Sequence, residues 1–241
     1  MQDAQFKGGE LPRIKIIKTT PKIQPEQLTS YKRCYMGISL DNPDFYGTSL
    51  EALLLWVTKN YQQCLVIIGD FLRRYNEQIF VCESGNSAEK ASLAEGQTYL
   101  EQTRQIFSKY SEPSIKIVRW KECLDSVEYK QAKQILDRLY NSDQAFKASV
   151  QKDSFSFINR QKRKKQILAV SIEQAIEISS AYLIEEIAVF SSLADLGWNI
   201  EIYPGPELGV LVDIAKGNFS NIPEGLKKRI NVELQIEKTQ R

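Results

Sequence analysis

The chain has 241 residues, enough to bury a large core, and its 42% hydrophobic and 26% charged residues are ordinary for a soluble globular protein. It contains no histidine, which excludes Ser-His-Asp and Cys-His catalytic sets and histidine metal sites. Any proton transfer therefore falls to Glu, Asp, Tyr, Lys, the substrate or water. The net charge of +2 gives no general pull toward nucleic acid, no apolar run is long enough to span a bilayer, and the amino terminus lacks a signal-peptide core.

In chain order, residues 1–30 carry Gly8-Gly9 and three prolines and read as a lead-in, with one edge strand around Ile14–Ile17. Residues 31–241 read as a single domain. Tyr35–Leu40 is a predicted strand that breaks at Asp41-Asn42-Pro43. Thr48 and Glu51 have capping-box spacing and open a predicted helix that runs to Tyr61. Leu65–Ile68 is a continuous apolar run ended by Gly69-Asp70, the pattern of a strand covered on both faces. Strand, helix and strand make a βαβ unit with a right-handed crossover. The four cysteines (Cys34, Cys64, Cys82 and Cys123) are widely spaced without a Cys-x-x-Cys pair. They read as reduced thiols of a cytoplasmic protein, with neither a disulfide framework nor a zinc site.

The alternation continues with helices predicted over 87–110, 121–140 and 143–157 and a strand over 114–118. A basic segment follows, in which Arg160, Lys162, Arg163, Lys164 and Lys165 crowd together with no acid among them. Ser171 with Gln174 is a second capping box, and Gly197 is a plausible stop, so the stretch between them reads as one long helix. At about 100° per residue, Leu183, Ile187, Phe190 and Ala194 form its core stripe. Tyr182, Glu186 and Val189 share the flank of that stripe, and Glu185 points to solvent. A phenol and a carboxylate one turn apart beside an apolar wall suit either a small polar ligand or an ordinary rim. Asn199–Tyr203 is a strand closed by Pro204-Gly205, with Glu201 and Tyr203 on one face and Ile200 and Ile202 on the other. A last helix over 207–216 and an alternating strand over 229–238 complete an α/β domain with a mainly parallel sheet.

In such sheets ligands bind beyond the carboxyl ends of the strands, where Ser39, Asp70 and Tyr203 fall. There is no Gly-x-Gly-x-x-Gly, no Walker-type phosphate loop and no Gly-x-Ser-x-Gly elbow, so the sheet announces neither a dinucleotide nor an ATP site.

Gly37-Ile38-Ser39 with Asn42, the run Gly69–Asn76, Tyr182 with Glu186 on one helix, and Tyr203 after a strand together resemble the tRNA-dependent cyclodipeptide synthases, over about residues 33–215. The resemblance implies a Rossmann-like fold similar to the catalytic domain of class I aminoacyl-tRNA synthetases, without ATP and without a cofactor. It implies that two aminoacyl-tRNAs are used in turn, in a ping-pong reaction. Ser39 would take the first aminoacyl group as an ester; the second aminoacyl-tRNA would supply an amine to form a dipeptidyl-enzyme, which cyclises to a diketopiperazine. Tyr182 and Glu186 would hold the first α-ammonium, Glu186 would receive the proton of the attacking amine, Tyr203 would relay a proton during cyclisation, and Gly37 and Asn42 would shape the bound backbone. Tyr203-Pro204 places the chain in the branch with Pro after the relay tyrosine.

By position, Tyr35, Ile67, Val189 and Glu201 would line the pocket for the first side chain. An unpaired buried carboxylate is costly, so the first residue is polar or basic, or Glu201 pairs with a nearby cation. In the other branch a basic helix after the second strand binds tRNA, but residues 88–110 here mix Lys90, Arg104 and Lys109 with Glu89, Glu95 and Glu101. The segment Arg160–Lys165 is the better tRNA contact, against a plain solvated basic loop. Two other readings stay open: a non-catalytic RNA-binding α/β module, and an acyl hydrolase using Ser39, against which the absence of histidine counts. Nothing in the sequence marks an oligomer interface, and a monomer is the simpler expectation.

Overall fold

A computed structural model describes residues 11–110 and 114–237; Gly8-Gly9 of the lead-in lie outside them. Six strands form one sheet: β1 (Arg13–Thr20), β2 (Arg33–Ile38), β3 (Gln63–Ile68), β4 (Ile115–Arg119), β5 (Ile200–Tyr203) and β6 (Ile230–Glu237). They lie in the order β1-β6-β5-β2-β3-β4, parallel throughout except where β1 runs antiparallel along β6. The connecting helices are α1 (Pro25–Leu28), α2 (Gly47–Asn60), α3 (Arg74–Phe80), α4 (Gly85–Ser108), α5 (Trp120–Cys123), α6 (Val127–Ser142), α7 (Gln144–Arg163), α8 (Ile172–Asp195), α9 (Gly209–Ala215) and α10 (Glu224–Lys228).

The sheet is covered on both faces, as the apolar run of β3 requires. Cys34, Met36, Ile38, Val66, Ile68 and Ile202 pack under α2 and α4, while Tyr35, Leu65 and Ile67 pack under α6 and α8. α2 leads from β2 to its neighbour β3 over one face, and α8 leads into β5, the neighbour on the other side, over the opposite face. The carboxyl ends of β2 and β5 therefore flank the switch point at which an open α/β sheet forms its crevice.

α8 is framed as its sequence dictates. Ser171 Oγ accepts from the Gln174 amide at 3.2 Å, Gln174 Oε1 accepts from the Ser171 amide at 3.2 Å, and Gly197 ends the run at φ +86°. Several local expectations are corrected. α2 begins at Gly47 without a Thr48–Glu51 box, because the Glu51 carboxylate is engaged by Lys109 Nζ at 2.7 Å. The helix over 121–140 is two, since Ser126 Oγ caps the Tyr129 amide at 3.0 Å and starts α6 afresh. α7, capped by Asp143 on the amides of Ala145 and Phe146, runs on through Arg160, Lys162 and Arg163, so most of the basic segment is the last turn of a helix. α3 and α10 are short helices that the sequence pattern did not separate from loop. Among the described residues no helix is long and apolar enough to cross a membrane.

Candidate active site

β2 delivers Ser39 to the carboxyl edge of the sheet, where the chain turns at once. The Asn42 amide donates to Ser39 O at 3.0 Å, and Asn42 Oδ1 accepts from the Asp44 amide at 3.0 Å. Asn42 Nδ2 donates to Pro204 O at 3.4 Å, and its side chain lies close enough to the Tyr203 phenol to favour its ionised form, so one amide joins the turn after β2 to the turn after β5. Arg73 ties the same turn from the other side, through its NH1 to Asp41 at 2.6 Å and through Nε to Glu95. Ser39 is half-buried, and among the described residues its hydroxyl has no hydrogen-bond partner. Next to it Gly69 donates to Ile38 O at 2.9 Å; a Cβ on Gly69 would meet that oxygen at 2.7 Å, so only glycine lets β3 leave the sheet so close to β2.

α8 lies across this edge and brings Tyr182 and Glu186 to it. The Tyr182 ring packs edge-on against Tyr75, with centroids 6.1 Å apart, and its phenol feels the charges of Glu186, Asp41 and Arg73 as well as the Tyr203 phenol. Burial, with Glu186 beside it, pushes the Tyr182 phenol well above its usual value. Burial and the neighbouring Glu201 push the Glu186 carboxyl up to about 8, with the Arg229 guanidinium opposing. Among the described residues Glu186 has neither an ion pair nor a hydrogen bond. Burial also raises the Tyr203 phenol, which packs against Phe45 with ring centroids 5.8 Å apart. Ser39, Asn42, Tyr182, Glu186 and Tyr203 thus converge from three elements on one end of the sheet.

Glu185 corrects the helical-wheel reading. It is 3% exposed, not solvent-facing, and its carboxylate collects Arg74 (NH1 at 3.0 Å, and NH2), Tyr75 OH at 2.9 Å and Trp120 Nε1 at 3.0 Å. α3 packs against this side of α8, and Trp120 at the start of α5 reaches the same carboxylate, so Glu185 is enclosed. Asp70 is likewise buried, capping the Phe71 amide at 2.6 Å and pairing with Arg119. The run Gly69–Asn76 therefore works as a clamp: Arg73 holds the serine turn, and Arg74 and Tyr75 hold α8.

The four residues placed in the first side-chain pocket are together on the α8 face of the sheet. Tyr35 and Glu201 are direct partners across β2 and β5, and Tyr35 OH donates to Glu201 Oε2 at 3.0 Å. Ile67 lies beside them on β3, and Val189 comes down from α8. Of the two options for Glu201, the structure has the second. Arg229, immediately before β6, pairs with Glu201 (Nε at 2.6 Å) and with Glu207 (NH1 at 3.1 Å), and stacks over Phe190. Arg229 and Glu207 were missed by sequence reasoning, which had no local signal linking them to residue 201.

The basic residues Arg160, Lys162, Arg163, Lys164 and Lys165 are all exposed at the end of α7. Arg160 lies near enough to Tyr203 to stabilise its ionised form, so this charge borders the carboxyl edge of the sheet. A surface hollow lined by Phe155, Asn159, Arg160 and Arg163 runs along the same helix.

The family model described as cyclodipeptide synthase matches residues 26–196, more than two thirds of the sequence. The chain belongs to the cyclodipeptide synthase family. It is thus an aminoacyltransferase, and the non-catalytic and hydrolase readings fall. Among solved structures, a cyclodipeptide synthase from Fluoribacter dumoffii is 18% identical over 95% of this chain and 100% of its own, with a TM-score of 0.76. A cyclodipeptide synthase from Candidatus Glomeribacter gigasporarum, solved bound to Phe-tRNA, is 19% identical over 87% of this chain and 89% of its own, with a TM-score of 0.64. A Mycobacterium tuberculosis protein, described as showing that cyclodipeptide synthetases are related to type I tRNA synthetases, is 14% identical over 96% of this chain and 99% of its own, with a TM-score of 0.73. At these identities the likeness is one of fold. No curated protein matches the sequence.

Proposed function

We propose that the protein joins two aminoacyl groups, each delivered by a tRNA, into a cyclic dipeptide through esters on Ser39. The observation that carries this reading is an unengaged hydroxyl at the end of β2 beside a phenol and a carboxylate that have no hydrogen-bond partner among the described residues. Burial without a cation keeps Glu186 protonated up to about pH 8, and the α-ammonium of an aminoacyl ester supplies the charge that lets it ionise.

Ser39 Oγ attacks the ester carbonyl of the first aminoacyl-tRNA; the bond to the terminal ribose breaks, and the hydroxyl proton leaves with the ribose oxygen or through the substrate amine. An aminoacyl ester is already activated, so a serine without a histidine suffices. For the dipeptide to stay on Ser39, the attacking amine in the second step must be that of the stored residue, not that of the incoming one: it attacks the second ester carbonyl and frees the second tRNA. This reverses the polarity expected from the sequence, because attack by the incoming amine would release Ser39 and leave the dipeptide on tRNA. Tyr182 and Glu186 bind the stored ammonium, and a carboxyl with a pKa near 8 is matched to accept its proton. The free amine of the dipeptide then attacks the Ser39 ester, with Tyr203 relaying the proton to the departing serine oxygen. The exposed cations from Arg160 to Lys165 lie where the tRNA phosphates approach.

Expression in bacteria is expected to release cyclic dipeptides into the medium, and intact-mass spectrometry to find an aminoacyl adduct on Ser39. Ser39→Ala is expected to abolish both; product formed by that variant at the normal rate would end the mechanism.

A further inference from the structure

The space behind the reactive serine is filled. Tyr35, Ile67 and Val189 are each 0% exposed, Glu201 4% and Arg229 5%, so no space as large as a water molecule touches the first three. These are the side chains that would have to line a deep pocket for the first aminoacyl group. The wall is also braced. Tyr35 OH donates to Glu201 at 3.0 Å and accepts from Arg229 Nε at 3.2 Å, Arg229 is fixed in turn by Glu207, and Phe190 stacks on both Tyr35 (centroids 5.7 Å apart) and Arg229. Swinging Arg229 aside to admit a guest would leave the buried Glu201 and Glu207 carboxylates unpaired, and swinging Tyr35 aside would break its hydrogen bonds to both Glu201 and Arg229. Among the described residues of this region, those left partly open are at the mouth. A Cβ built on Gly37 would have Phe190 at ordinary contact distance, 4.0 Å, and Gly37 and Ser39 are themselves only half-buried.

We infer that Tyr35, Glu201 and Arg229 form a closed floor to the acyl chamber, which restricts the first aminoacyl group to one with a small side chain: glycyl, alanyl or seryl. Arg229 acts here as a positioning residue, holding the Tyr35–Glu201 pair in place from outside the chamber. The inference rests on the serine-ester reading of the preceding subsection and adds to it the size of the stored residue.

The test is to mix the purified protein with one aminoacyl-tRNA at a time, glycyl, alanyl and seryl against leucyl, phenylalanyl and tyrosyl, and to follow the mass adduct on Ser39. The small set is expected to acylate at least about tenfold faster than the large set. Equal or faster acylation by a large group would overturn the closed floor while leaving the serine-ester mechanism standing. Acylation by none of them would overturn that mechanism and this inference with it. In a second arm, Tyr35→Val removes the aromatic ring but keeps the Glu201–Arg229 pair. If it melts as a folded protein, leucyl and phenylalanyl transfer is expected to rise at least about tenfold relative to alanyl. A folded variant with unchanged selectivity would sink the proposal, and if the variant does not fold the wild-type series decides.

Discussion

Glu186 and Glu185 are adjacent in sequence and opposite in circumstance. Glu186 is embedded without a partner, and its carboxyl is held near 8 against an ordinary 4.5. Its folded-state pKa is raised, so between about pH 4.5 and about pH 8 the folded protein holds a proton that the unfolded chain releases, and stability falls as pH rises through that window. Glu186→Gln removes this dependence: its melting temperature is expected to exceed that of the wild type by a margin that grows toward pH 8 and closes near pH 4, while activity is lost. A constant difference across that range, measured by thermal denaturation, would contradict the assignment. Glu185, by contrast, is neutralised by Arg74 and satisfied by Tyr75 and Trp120. Glu185→Leu leaves that guanidinium and two donors unmatched and is expected to cost about 3 kcal/mol in chemical denaturation, as breaking a buried pair does. The sequence assigned Glu186 rightly to the flank of α8 and Glu185 wrongly to solvent. A helical wheel knows one core stripe; it cannot know that α3 and the Trp120 indole close over Glu185.

At the scale of elements, the proposed mechanism assigns tRNA contact to the end of α7 and chemistry to α8. α8 carries the phenol and carboxylate inward, whereas the end of α7 carries Arg160, Lys162 and Arg163 outward, with Lys164 and Lys165 following. Cations in the last helical turn also face favourable carbonyl dipoles, so the helix can extend through a run that reads as loop. Replacing all five by Gln is expected to leave the fold intact, to weaken aminoacyl-tRNA use at physiological salt, and to make its salt dependence shallower by about 0.7–0.9 in log–log slope for each phosphate that no longer meets a cation. The measurement is initial rate against salt concentration for both proteins; identical slopes would assign tRNA binding to another surface. α4, the alternative carrier, has Glu95 and Glu89 drawn into pairs with Arg73 and Lys121, keeps Glu101 beside Gln97, and presents a mixed surface.

For the molecule as a whole, the sheet joins distant parts of the chain. β6 lies between β5 and β1, so the last described strand sits beside the first one and supplies Arg229, at its entrance, to Glu201 on the α8 face of the sheet. β1 covers what would otherwise be an open edge of β6. Deletion of residues 1–20 exposes that edge and is expected to produce self-association or precipitation, read by size-exclusion chromatography with light scattering. A monomer of unchanged melting temperature would show that β1 is dispensable.

The sequence by itself determined the alternating elements, the capped frame of α8, the catalytic quartet Ser39, Tyr182, Glu186 and Tyr203 as candidates, and the exclusion of histidine chemistry. These are legible because capping, periodicity and strand alternation are local, and because motifs at fixed spacing survive as text. Only the tertiary structure decided that Glu185 is buried, that Arg73 and Arg74 clamp the serine turn and α8, and that Glu201 is neutralised by Arg229. Each of these depends on which charge meets which across tens to hundreds of residues, a matter of how the elements pack, and no spacing along the chain encodes it.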